Sequence, residues 1–570
     1  MNEKMEKLKK NIACASGAEK PSLAIRNVMI YHMTDGSLEE GDILINEDQI
    51  VGAGACCREI TAEKEFDAKG FYAVPGFIDT HVHIESSMLT PQEYEKCVLP
   101  HGVTTAICDP HELSNIAGTQ AWDYFIECAD NMNMDLIIRL SSCVPATSLE
   151  TSGAEISSKD ILAYQGKKHV YGLGEMMNVP GVLFRDEEIL TKILSSPFVD
   201  GHAPLLSGNM LNSYITSSVK NCHESSLLAE AEEKLKRGMN ILIREGSTAK
   251  NLDTLLPLIT LKNSPFLAFC TDDRNPADIR ERGHIDGMIA HCIEKGADMF
   301  TVYRLATYSA ANIAALPDRG LIAPGRRADI VLLSSLEKCK VEHTFAGGKL
   351  VDPSLFAASN FPPVPETFLH SIRREKITME DLLIRKDQWK GEIIGLIPDS
   401  LITRKIPALL PEKDGFLCGD DAQDIRKLFV LERHGKNGNI GKGFVQGFGM
   451  KEGAIASSVG HDSHNICVTG TNDSDIMLAA NFLIEKGGGF VVVKAGEVLA
   501  HLSLPLGGLM SLDPFEVVAG KLEEVLSKAG ETSCKIKEPF MALAFLPLPV
   551  IPEIKLTDKG LVDVEKFCFY

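Results

Sequence analysis

The stretch Val74-Pro75-Gly76-Phe77-Ile78-Asp79-Thr80-His81-Val82-His83 carries an apolar run into a His-x-His pair, and Ile84-Glu85-Ser86-Ser87 follows at once. In an extended strand, residues i and i+2 project from one face, so His81 and His83 are placed side by side. Two neutral imidazoles in that arrangement can bind one metal ion. One such pair indicates little alone, but its position after a Pro-Gly break and a short apolar strand is typical of the first strand of a metal-dependent (β/α) barrel.

The size and charge of the chain bound the functions open to it. Its 570 residues exceed what a single core usually holds and predict two to four domains. The net charge of −20 and the pI of about 5.3 disfavour nucleic acid and anionic membranes as partners, because phosphates would be repelled. The charge is compatible with a small neutral substrate.

The fifteen cysteines are scattered, and no two have the spacing C-x-x-C. An odd number without a paired framework is typical of a reducing cytosol, so a cytoplasmic location is expected. The missing C-x-x-C also excludes the usual zinc-finger pattern and the cysteine-ligated zinc deaminase pattern. Residues 1–10 are charged throughout, unlike a signal peptide, and no apolar run approaches the ~20 residues that span a bilayer.

Short strands separated by turn residues are predicted on both sides of a central region, after a helical or frayed tail at residues 1–20. The predicted strands are Ser22–His32, Gly41–Ala53 and Glu65–Ala73, then a return to β character at Gly320–Leu333, Val341–Phe345 and Lys349–Val351. Asp-Gly and Glu-Gly pairs supply turns in the first set. We predict that both sets form one β-sandwich and that the central region is inserted into it.

In the central region, strands alternate with helical segments, which is typical of βα units around a parallel sheet. Eight strands are predicted, the number that a closed (β/α)8 barrel needs. They are Val74–Ile78, Thr104–Cys108, Leu136–Ser141, Val170–Leu173, Phe198–Asp200, Val219–Asn221, Asn240–Arg244 and Phe266–Cys270. Two of them are weak, because Phe198–Asp200 is very short and Val219–Asn221 is polar.

The predicted fold class is α/β, a (β/α)8 barrel inserted in a small β-sandwich, with a C-terminal mixed α/β domain. The predicted domains are a tail at 1–20, a composite sandwich from 21–74 and 317–385, the barrel at 75–316 and the C-terminal domain at 386–570. Gly435–Gly449 is rich in glycine but lacks the GK[ST] of a phosphate-binding loop, so we interpret it as turns between strands.

A polar or ionisable residue follows every predicted barrel strand, at the rim where barrel active sites are built. In strand order these are His81 and His83, Asp109 to Glu112, Ser141 to Cys143, Glu175, His202, His223 and Glu224, Arg244 to Ser247, and Thr271 to Arg274. Any one of them has an ordinary explanation, such as a helix cap at Asp272 or an ion pair between Arg244 and a rim carboxylate. Four histidines and two carboxylates at strand ends are poorly explained by chance, and they predict a metal site.

The ligand inventory predicts two divalent ions. The ligands are His81, His83 and Asp272 for the first ion, and His202 and His223 for the second. Because two cations ~3.5–4 Å apart repel each other, one carboxylate must bridge them, and Glu175 is the candidate. Imidazole and carboxylate ligands without a thiolate suit manganese or iron, and also zinc.

Water bound between two such ions loses a proton near neutral pH and becomes a hydroxide nucleophile. Asp272 is placed to take that proton and to pass it to a leaving group. The predicted reaction class is therefore hydrolytic attack on an electrophilic carbon, in an amide, an ester or an amidine-like ring C–NH₂.

The same residues lie in motifs that resemble the metal-dependent amidohydrolase superfamily and, within it, the bacterial-type adenine deaminase family. The motifs are PGFIDTHVHIESSM (Pro75–Met88), TTAICDPHE (Thr104–Glu112), GLGEMM (Gly172–Met177), DGHAP (Asp200–Pro204), NCHES (Asn221–Ser225), IREGS (Ile243–Ser247), CTDDRNP (Cys270–Pro276), HDSHN (His461–Asn465) and LPLGGLMS (Leu504–Ser511). The His-x-His pair and the barrel Asp identify only the superfamily, whereas HIESSM, CDPHE, TDDR and HDSHN together are specific to the adenine deaminase family. The resemblance runs from about residue 22 to 568.

The resemblance implies the substrate, which spacing alone does not show. It implies hydrolytic deamination of adenine to hypoxanthine and ammonia in purine salvage, with attack of the metal-activated hydroxide on C6 and Asp272 as the proton shuttle. Many superfamily members bridge their metals with a carboxylated lysine from strand four. Here that strand ends in Glu175, and Lys167 and Lys168 precede it, which agrees with the Glu-bridged pattern of adenine deaminases.

The residues that would recognise a purine are harder to assign. Ring nitrogens need donors and acceptors at fixed positions. The candidate contacts are Glu85, His111, Glu112, Ser247 and Asp273. In the third region, His461 and His464 of HDSHN could reach the barrel mouth of their own or a neighbouring subunit, or they could form a structural turn in which Asp462 accepts backbone hydrogen bonds.

Two alternatives stay open. One is another amidohydrolase on the same site, acting on a different purine or a cyclic amide, because pocket contacts choose among substrates. The other is a non-enzymatic metal-binding scaffold with a decayed barrel, against which the intact ligand set counts. The extra C-terminal domain leads us to expect a homo-oligomer.

Overall fold

The computed structural model describes residues 2–389, 391–397 and 400–570. Helix α1 (Asn2–Ala15) opens the chain, with the side chains of Asn11 and Cys14 buried. Asn46 Nδ2 donates to Asn11 Oδ1 across 2.7 Å and ties the helix to the first sheet. The predicted tail is therefore a docked helix rather than a frayed end.

Five strands follow this helix: β1 (Leu23–Tyr31), β2 (Leu38–Asn46), β3 (Gln49–Gly54), β4 (Lys64–Asp67) and β5 (Tyr72–Pro75). The single strands predicted at 41–53 and 65–73 were wrong, because each is two strands with a turn between them. Glu47 (φ 55°) turns the first pair, and Lys69 (φ 52°) with Gly70 (φ 81°) turns the second. At these positions the left-handed backbone turns the chain out of the extended conformation.

Eight parallel strands come next and confirm the predicted barrel: β6 (Phe77–Val82), β7 (Val103–Cys108), β8 (Asp135–Leu140), β9 (Val170–Met176), β10 (Val199–Gly201), β11 (Asn221–Cys222), β12 (Asn240–Arg244) and β13 (Leu267–Cys270). The predicted first strand, Val74–Ile78, spans a boundary, because Tyr72–Pro75 belongs to the first sheet and the barrel strand begins at Phe77. The two strands predicted as weak, β10 and β11, are the shortest.

The barrel is closed at both places where its regular ladders stop. Between β10 and β11, Lys220 N donates to Val199 O (3.0 Å), and Gly201 N donates to Asn221 Oδ1 (3.0 Å). Between β13 and β6, Asp272 N donates to His81 O (3.0 Å), and His83 N donates to Asp272 O (3.1 Å). The second closure is made by backbone of predicted metal ligands, so closing the barrel also assembles part of the site.

Helices surround the strands: α2 (Pro91–Val98), α3 (His111–Ala117), α4 (Thr119–Ala129), α5 (Ser158–Tyr164), α6 (Val179–Phe184), α7 (Glu187–Leu194), α8 (Gly208–Thr216), α9 (Leu228–Lys236), α10 (Leu252–Leu255), α11 (Pro276–Arg282), α12 (Ile285–Glu294), α13 (Met299–Ala306) and α14 (Tyr308–Ile313). Every residue of β6 and β7 is buried, as expected for parallel strands covered on both faces. Trp122 and Phe125 of α4 are fully buried and belong to the apolar layers around the barrel.

The chain then returns to the first sheet through β14 (Ile330–Ser335), β15 (Lys340–Ala346) and β16 (Lys349–Leu350). Strand β14 pairs antiparallel with β5, with Ile330 opposite Pro75 and Leu333 opposite Tyr72. The predicted insertion of the barrel into the β-sandwich is therefore confirmed. The domain boundaries themselves, 21–74 with 317–385, 75–316 and 386–570, remain our proposal.

The C-terminal region is mixed α/β, as predicted. Two short helices, α15 (Pro353–Ala357) and α16 (Glu366–Leu369), come before it, and its own helices are α17 (Asp473–Lys486), α18 (Phe515–Glu531) and α19 (Pro539–Ala544). Its strands are β17 (Glu392–Leu396), β18 (Thr403–Pro407), β19 (Glu412–Lys413), β20 (Phe416–Leu417), β21 (Ile425–Leu431), β22 (Ile440–Gln446), β23 (Ala454–Ser457), β24 (Ile466–Gly470), β25 (Gly489–Lys494), β26 (Glu497–Ser503), β27 (Ile554–Thr557), β28 (Gly560–Asp563) and β29 (Cys568–Phe569). Eight of them form one sheet in the order β18-β17-β22-β21-β24-β23-β25-β26.

The C-terminal region lies against the rim of the barrel. Ser511 N donates to Met88 O (2.8 Å), just after β6. Thr151 N, in the loop after β8, donates to the carboxylate of Asp558 (2.9 Å). The HDSHN segment lies in the loop between β23 and β24 and reaches this rim. Among the residues that the structure describes, no helix combines the length and apolar character required to cross a membrane.

Candidate metal centre

The six predicted metal ligands all lie at the carboxyl end of barrel strands. They are His81 in β6, His83 just after it, Glu175 in β9, His202 after β10, His223 after β11 and Asp272 after β13. Strand β9 is longer than predicted, so Glu175 is its penultimate residue rather than the residue after it. All six side chains are buried.

Three of these side chains meet where the first and last strands join. The Nε2 atoms of His81 and His83 are 3.2 Å apart. Asp272 Oδ1 lies 3.6 Å from His81 Nε2 and 3.3 Å from His83 Nε2. His83 Nδ1 donates to the backbone oxygen of Asp109 (2.9 Å), so its Nε2 is the ring nitrogen that faces the other two side chains.

Glu175 connects this group with the other two histidines. Its Oε1 lies 3.1 Å from His83 Nε2. Its Oε2 lies 2.6 Å from His202 Nδ1 and 3.3 Å from His223 Nε2. One carboxylate oxygen therefore faces each set of imidazoles, which is the arrangement expected of a bridging ligand.

The chemistry of this set fits a divalent metal site. Ligand atoms of His81, His83 and Glu175 lie within 4.8 Å of one another, and so do those of His81, His223 and Asp272 and those of Glu175, His202 and His223. Lone pairs of imidazoles and carboxylates converge here in a buried space, where a cation satisfies them better than hydrogen bonds do. Glu175, His81 and His223 each belong to two of these three groups.

The pKa shifts of the two carboxylates in the cluster are consistent with a site that binds positive charge. Burial raises the pKa of Glu175, but His202, His223 and His83 outweigh it and hold that pKa well below its ordinary value. Burial also raises the pKa of Asp272, and His83 and Arg244 reverse the shift. Both carboxylates are therefore ionised although they are buried.

Asp109 supports the end of β9, a role that the sequence did not reveal. Its carboxylate accepts from Ser141 Oγ (2.6 Å) and from the backbone N–H of Glu175 (3.1 Å). A Cβ at Gly174 would lie 2.0 Å from Asp109 Oδ2, so only glycine admits this contact. The signal in the sequence was Asp109 at a strand end and a glycine directly before Glu175.

Arg244 binds two carboxylates at once. Its Nη1 donates to Asp272 Oδ2 (2.8 Å) and also to Glu224, and its Nη2 donates to Glu224 Oε2 (2.9 Å). Its Nε donates to Asn251 Oδ1 (3.2 Å). The sequence suggested an ion pair between Arg244 and a rim carboxylate, but it did not show that Asp272 was the partner.

The backbone of Asp272 also directs its side chain. Its φ of 57° lies in the left-handed region, which aspartate tolerates better than most residues. The neighbouring Thr271 N donates to Asp79 Oδ1 (3.1 Å), which holds β13 against β6 inside the barrel. Asp79 is a further positioning residue that the sequence analysis did not single out.

A small cavity adjoins the metal ligands. On the barrel side it is lined by His83, Glu175, His202, His223 and Asp272, together with neighbouring polar residues. On the other side it is lined by residues of the C-terminal region: Leu401, His461, Asp462, Phe545, Leu548 and Ile551. The cavity thus has walls from two parts of the chain.

The structure separates the five candidate purine contacts into two that line the cavity and three that do not. Of the described residues, Glu112 and Asp273 line the cavity, whereas Glu85, His111 and Ser247 are not among its lining. Glu85 contacts the backbone N–H of Leu113 (3.1 Å), and His111 contacts the carboxylate of Asp462 (3.3 Å). Ser247 contacts the backbone N–H of Asn275 (3.0 Å). They lie next to the lining residues and hold neighbouring backbone or side chains.

The HDSHN segment reaches the barrel mouth of its own chain. His461 Nδ1 lies 3.2 Å from Glu112 Oε1, and His464 Nε2 contacts Glu112 Oε2. Burial raises the pKa of Glu112, but His461 and His464 outweigh it and hold that pKa well below its ordinary value. The segment is therefore in ionic contact with the barrel and is not only a surface turn.

Two family models match the chain. The model described as "Amidohydrolase family" matches residues 72–351, and the model described as "Adenine deaminase C-terminal domain" matches residues 400–568. An adenine deaminase of Gluconobacter oxydans (strain 621H) is 48% identical over 564 residues, which cover 98% of this chain and 99% of that relative. An adenine deaminase of Methylobacterium nodulans is 48% identical over 560 residues, 98% of each chain. A solved enamidase structure aligns with 57% of this chain and 95% of its own, with 16% identity and a TM-score of 0.45.

Proposed function

Because this chain belongs to the adenine deaminase family of amidohydrolases, we propose that it hydrolyses adenine to hypoxanthine and ammonia. Water adds at C6, the C6–N bond breaks, and the exocyclic amine leaves as ammonia. The observation that carries this proposal is Glu175, whose two carboxylate oxygens face separate groups of histidines beside the cavity. That arrangement suits hydrolysis at a carbon held in the cavity.

The buried ligand set supports two divalent ions per subunit. His81, His83 and Asp272 would hold one ion, His202 and His223 would hold the other, and Glu175 would bridge them. When bound, the ions supply Lewis acidity that lowers the pKa of water and so generates the nucleophile near neutral pH. Manganese or iron is proposed, with zinc as the alternative, because the donors are imidazole and carboxylate without thiolate.

Asp272 is the proposed proton shuttle. Its Oδ1 lies among the imidazoles, while Arg244 holds its Oδ2 at 2.8 Å and favours the ionised form. An ionised Asp272 accepts a proton from the attacking water and delivers it to the departing amine. Glu175 is assigned as the second catalytic residue because it touches both groups of imidazoles.

Purine recognition is proposed to involve both walls of the cavity. Asp273 supplies a carboxylate oxygen from the barrel, and Phe545 and Leu548 supply apolar surface that excludes water. Glu112 lines the same wall, with its two oxygens facing His461 and His464. Glu85, His111 and Ser247 are proposed to hold this wall in place through the contacts described above. The proposed contribution of the C-terminal region comes from His461 and His464.

The cellular setting is proposed from the surface and the thiols. All fifteen cysteines carry free thiols, which suits a reducing cytoplasm and a role in purine salvage. Phe184 and Leu194 on neighbouring barrel helices are 81% and 86% exposed. In the proposed homo-oligomer, these two side chains are candidates for the surface that another subunit covers.

The decisive experiment is ammonia release by metal-loaded protein with adenine, guanine, cytosine and dihydroorotate as parallel substrates. Adenine is expected to be the substrate that is turned over. No ammonia from adenine would contradict the proposal, and turnover of another compound in its place would favour a different amidohydrolase. Elemental analysis near zero metal together with no turnover would favour a decayed scaffold.

A further inference from the structure

His461 is a buried histidine of the C-terminal region with one nitrogen free. It lines the cavity and is only 3% exposed. Within the described part of the chain, its Nε2 has no hydrogen-bond partner. A buried polar atom without a partner costs free energy unless a ligand or water satisfies it, so this atom points to something that the cavity binds.

Two neighbours determine how the ring of His461 is held. Glu112 Oε1 lies 3.2 Å from Nδ1, so the carboxylate accepts the N–H of that nitrogen, and Nε2 is the ring nitrogen left without a partner. The ring of Phe545 stacks on the imidazole, with centroids 4.4 Å apart and planes 9° apart. His464 contacts the other oxygen of Glu112 and holds the carboxylate in turn. The orientation of His461 is therefore set before a substrate enters.

The cavity offers many acceptors and few free donors. Glu112, Asp273 and Asp462 line it with carboxylates, which accept hydrogen bonds when ionised. The guanidinium of Arg244 is already engaged by Glu224, Asp272 and Asn251. Apart from the proposed metal ligands, His461 is thus the lining residue, among those described, that retains a free nitrogen able to donate.

A purine with an acceptor next to the reacting carbon needs such a donor. In adenine, N1 is bonded to C6 and carries a lone pair. Addition of water at C6 moves negative charge onto N1, so a hydrogen bond to N1 strengthens in the transition state. Burial lowers the pKa of His461, but Glu112 and Asp462 outweigh it and hold the pKa well above its ordinary value, which supports an N–H on both ring nitrogens.

We propose that His461 donates a hydrogen bond from Nε2 to N1 of adenine and that Glu112 is the positioning residue that orients it. This inference rests on the proposed deamination of adenine. It makes the C-terminal region part of the substrate site and not only a cover for the barrel.

The variants His461→Leu and His461→Gln separate donation from packing. The Nε2 of a glutamine approximates the position of the imidazole Nε2, so His461→Gln is expected to recover part of what His461→Leu loses. For His461→Leu, kcat/KM with adenine is expected to fall about 10²–10³-fold, the range for losing one transition-state donor. The matched control is His501→Leu, because His501 lies in the same region, contacts Phe482 and is not part of the cavity lining.

Inhibition constants of deaza-analogues identify the contacted atom. The affinity of 3-deazaadenine and 7-deazaadenine, which keep N1, is expected to fall about 10-fold in His461→Leu. The affinity of 1-deazaadenine, which lacks N1, is expected to be the same in wild type and in His461→Leu. The variant Glu112→Gln is expected to show the same selectivity more weakly, and its effect is expected not to add to that of His461→Leu.

The outcomes separate this inference from the proposed function. Wild-type protein that does not deaminate adenine would contradict the proposed function itself. Wild-type activity together with equal losses for 1-deazaadenine and 7-deazaadenine in the His461 variants would overturn the role of N1. Retained kcat/KM in a folded, metal-loaded His461→Leu would also overturn it. If His461→Leu does not fold, the same comparisons in His461→Gln decide the question.

Discussion

Two buried clusters in this molecule use the same residue types in different ways. The metal cluster consists of His81, His83, Glu175, His202, His223 and Asp272. The interface cluster consists of His111, Glu112, His461, Asp462 and His464. Both combine imidazoles with two carboxylates, and both lie beside the same cavity.

The clusters differ in how their lone pairs are arranged. In the metal cluster, two imidazole nitrogens face each other at 3.2 Å, and Glu175 faces three histidines. In the interface cluster, His111 faces Asp462, while His461 and His464 each face a separate oxygen of Glu112. Ligand atoms of Glu112, His461 and Asp462 also lie within 4.8 Å of one another, but each imidazole of the interface cluster faces a carboxylate oxygen, so its acids and bases satisfy one another. In the metal cluster two imidazole nitrogens also face each other, and a cation would satisfy both. The composition of a cluster therefore does not determine its chemistry; its geometry does.

The largest expected effect is the loss of activity in Asp272→Asn, a change in the metal cluster. This change keeps the shape of the side chain and removes the group proposed to carry the proton, so kcat with adenine should fall by about 10⁴-fold. The measurement is ammonia release together with circular dichroism to verify the fold. Asp253→Asn is the matched control, because Asp253 is an exposed partner of His291. Full activity in Asp272→Asn would refute its role as proton shuttle.

The second largest effect is expected to be a loss of stability in Arg244→Met. It is measured by denaturant unfolding of metal-free protein. The change leaves the buried carboxylates of Asp272 and Glu224 without their cation and should cost about 3–5 kcal/mol of unfolding free energy. The control Arg280→Met removes an ion pair with Glu523 whose side chains are 43% and 54% exposed, and it should cost at most about 1 kcal/mol. Equal losses in both variants would show that the carboxylates beside Arg244 are not buried charges.

The smallest expected effect is a difference between Glu175→Gln and Glu112→Gln in how much bound metal stabilises the protein. Metal that binds only the folded state should stabilise wild type by about 2.7 kcal/mol at a concentration 100 times its Kd. We expect Glu175→Gln to lose most of this gain and its bound metal, while Glu112→Gln keeps both. The measurements are the melting temperature with and without a chelator, and elemental analysis. A loss of metal in Glu112→Gln would place the interface cluster in the metal site.

The barrel could be predicted because its strands are buried on both faces. Strands β7 and β12 are almost entirely buried, and they appear within one residue of the prediction. Strand β11 has only two residues, so periodicity carried little signal there. The first predicted strand was misplaced because Val74–Pro75 and Phe77–Ile78 are equally apolar, and only pairing with β14 assigns the former to the sandwich.

The sequence by itself determined that the six side chains of the metal cluster come together, because the carboxyl ends of parallel barrel strands meet at one rim. Once β6, β9, β10, β11 and β13 were identified, the residues at their ends had to converge, whatever the loops between them did. The opening pair His81 and His83 thus indicated the site before any contact was known.

Only the tertiary structure decided the interface cluster. Glu112 and His464 are 352 residues apart, and no periodicity relates a barrel helix to a loop of the C-terminal sheet. Their contact depends on how the two parts of the chain dock, which is set by packing over the whole interface and not by local pattern. The docking of the C-terminal sheet on the barrel rim also places the free nitrogen of His461 at the cavity.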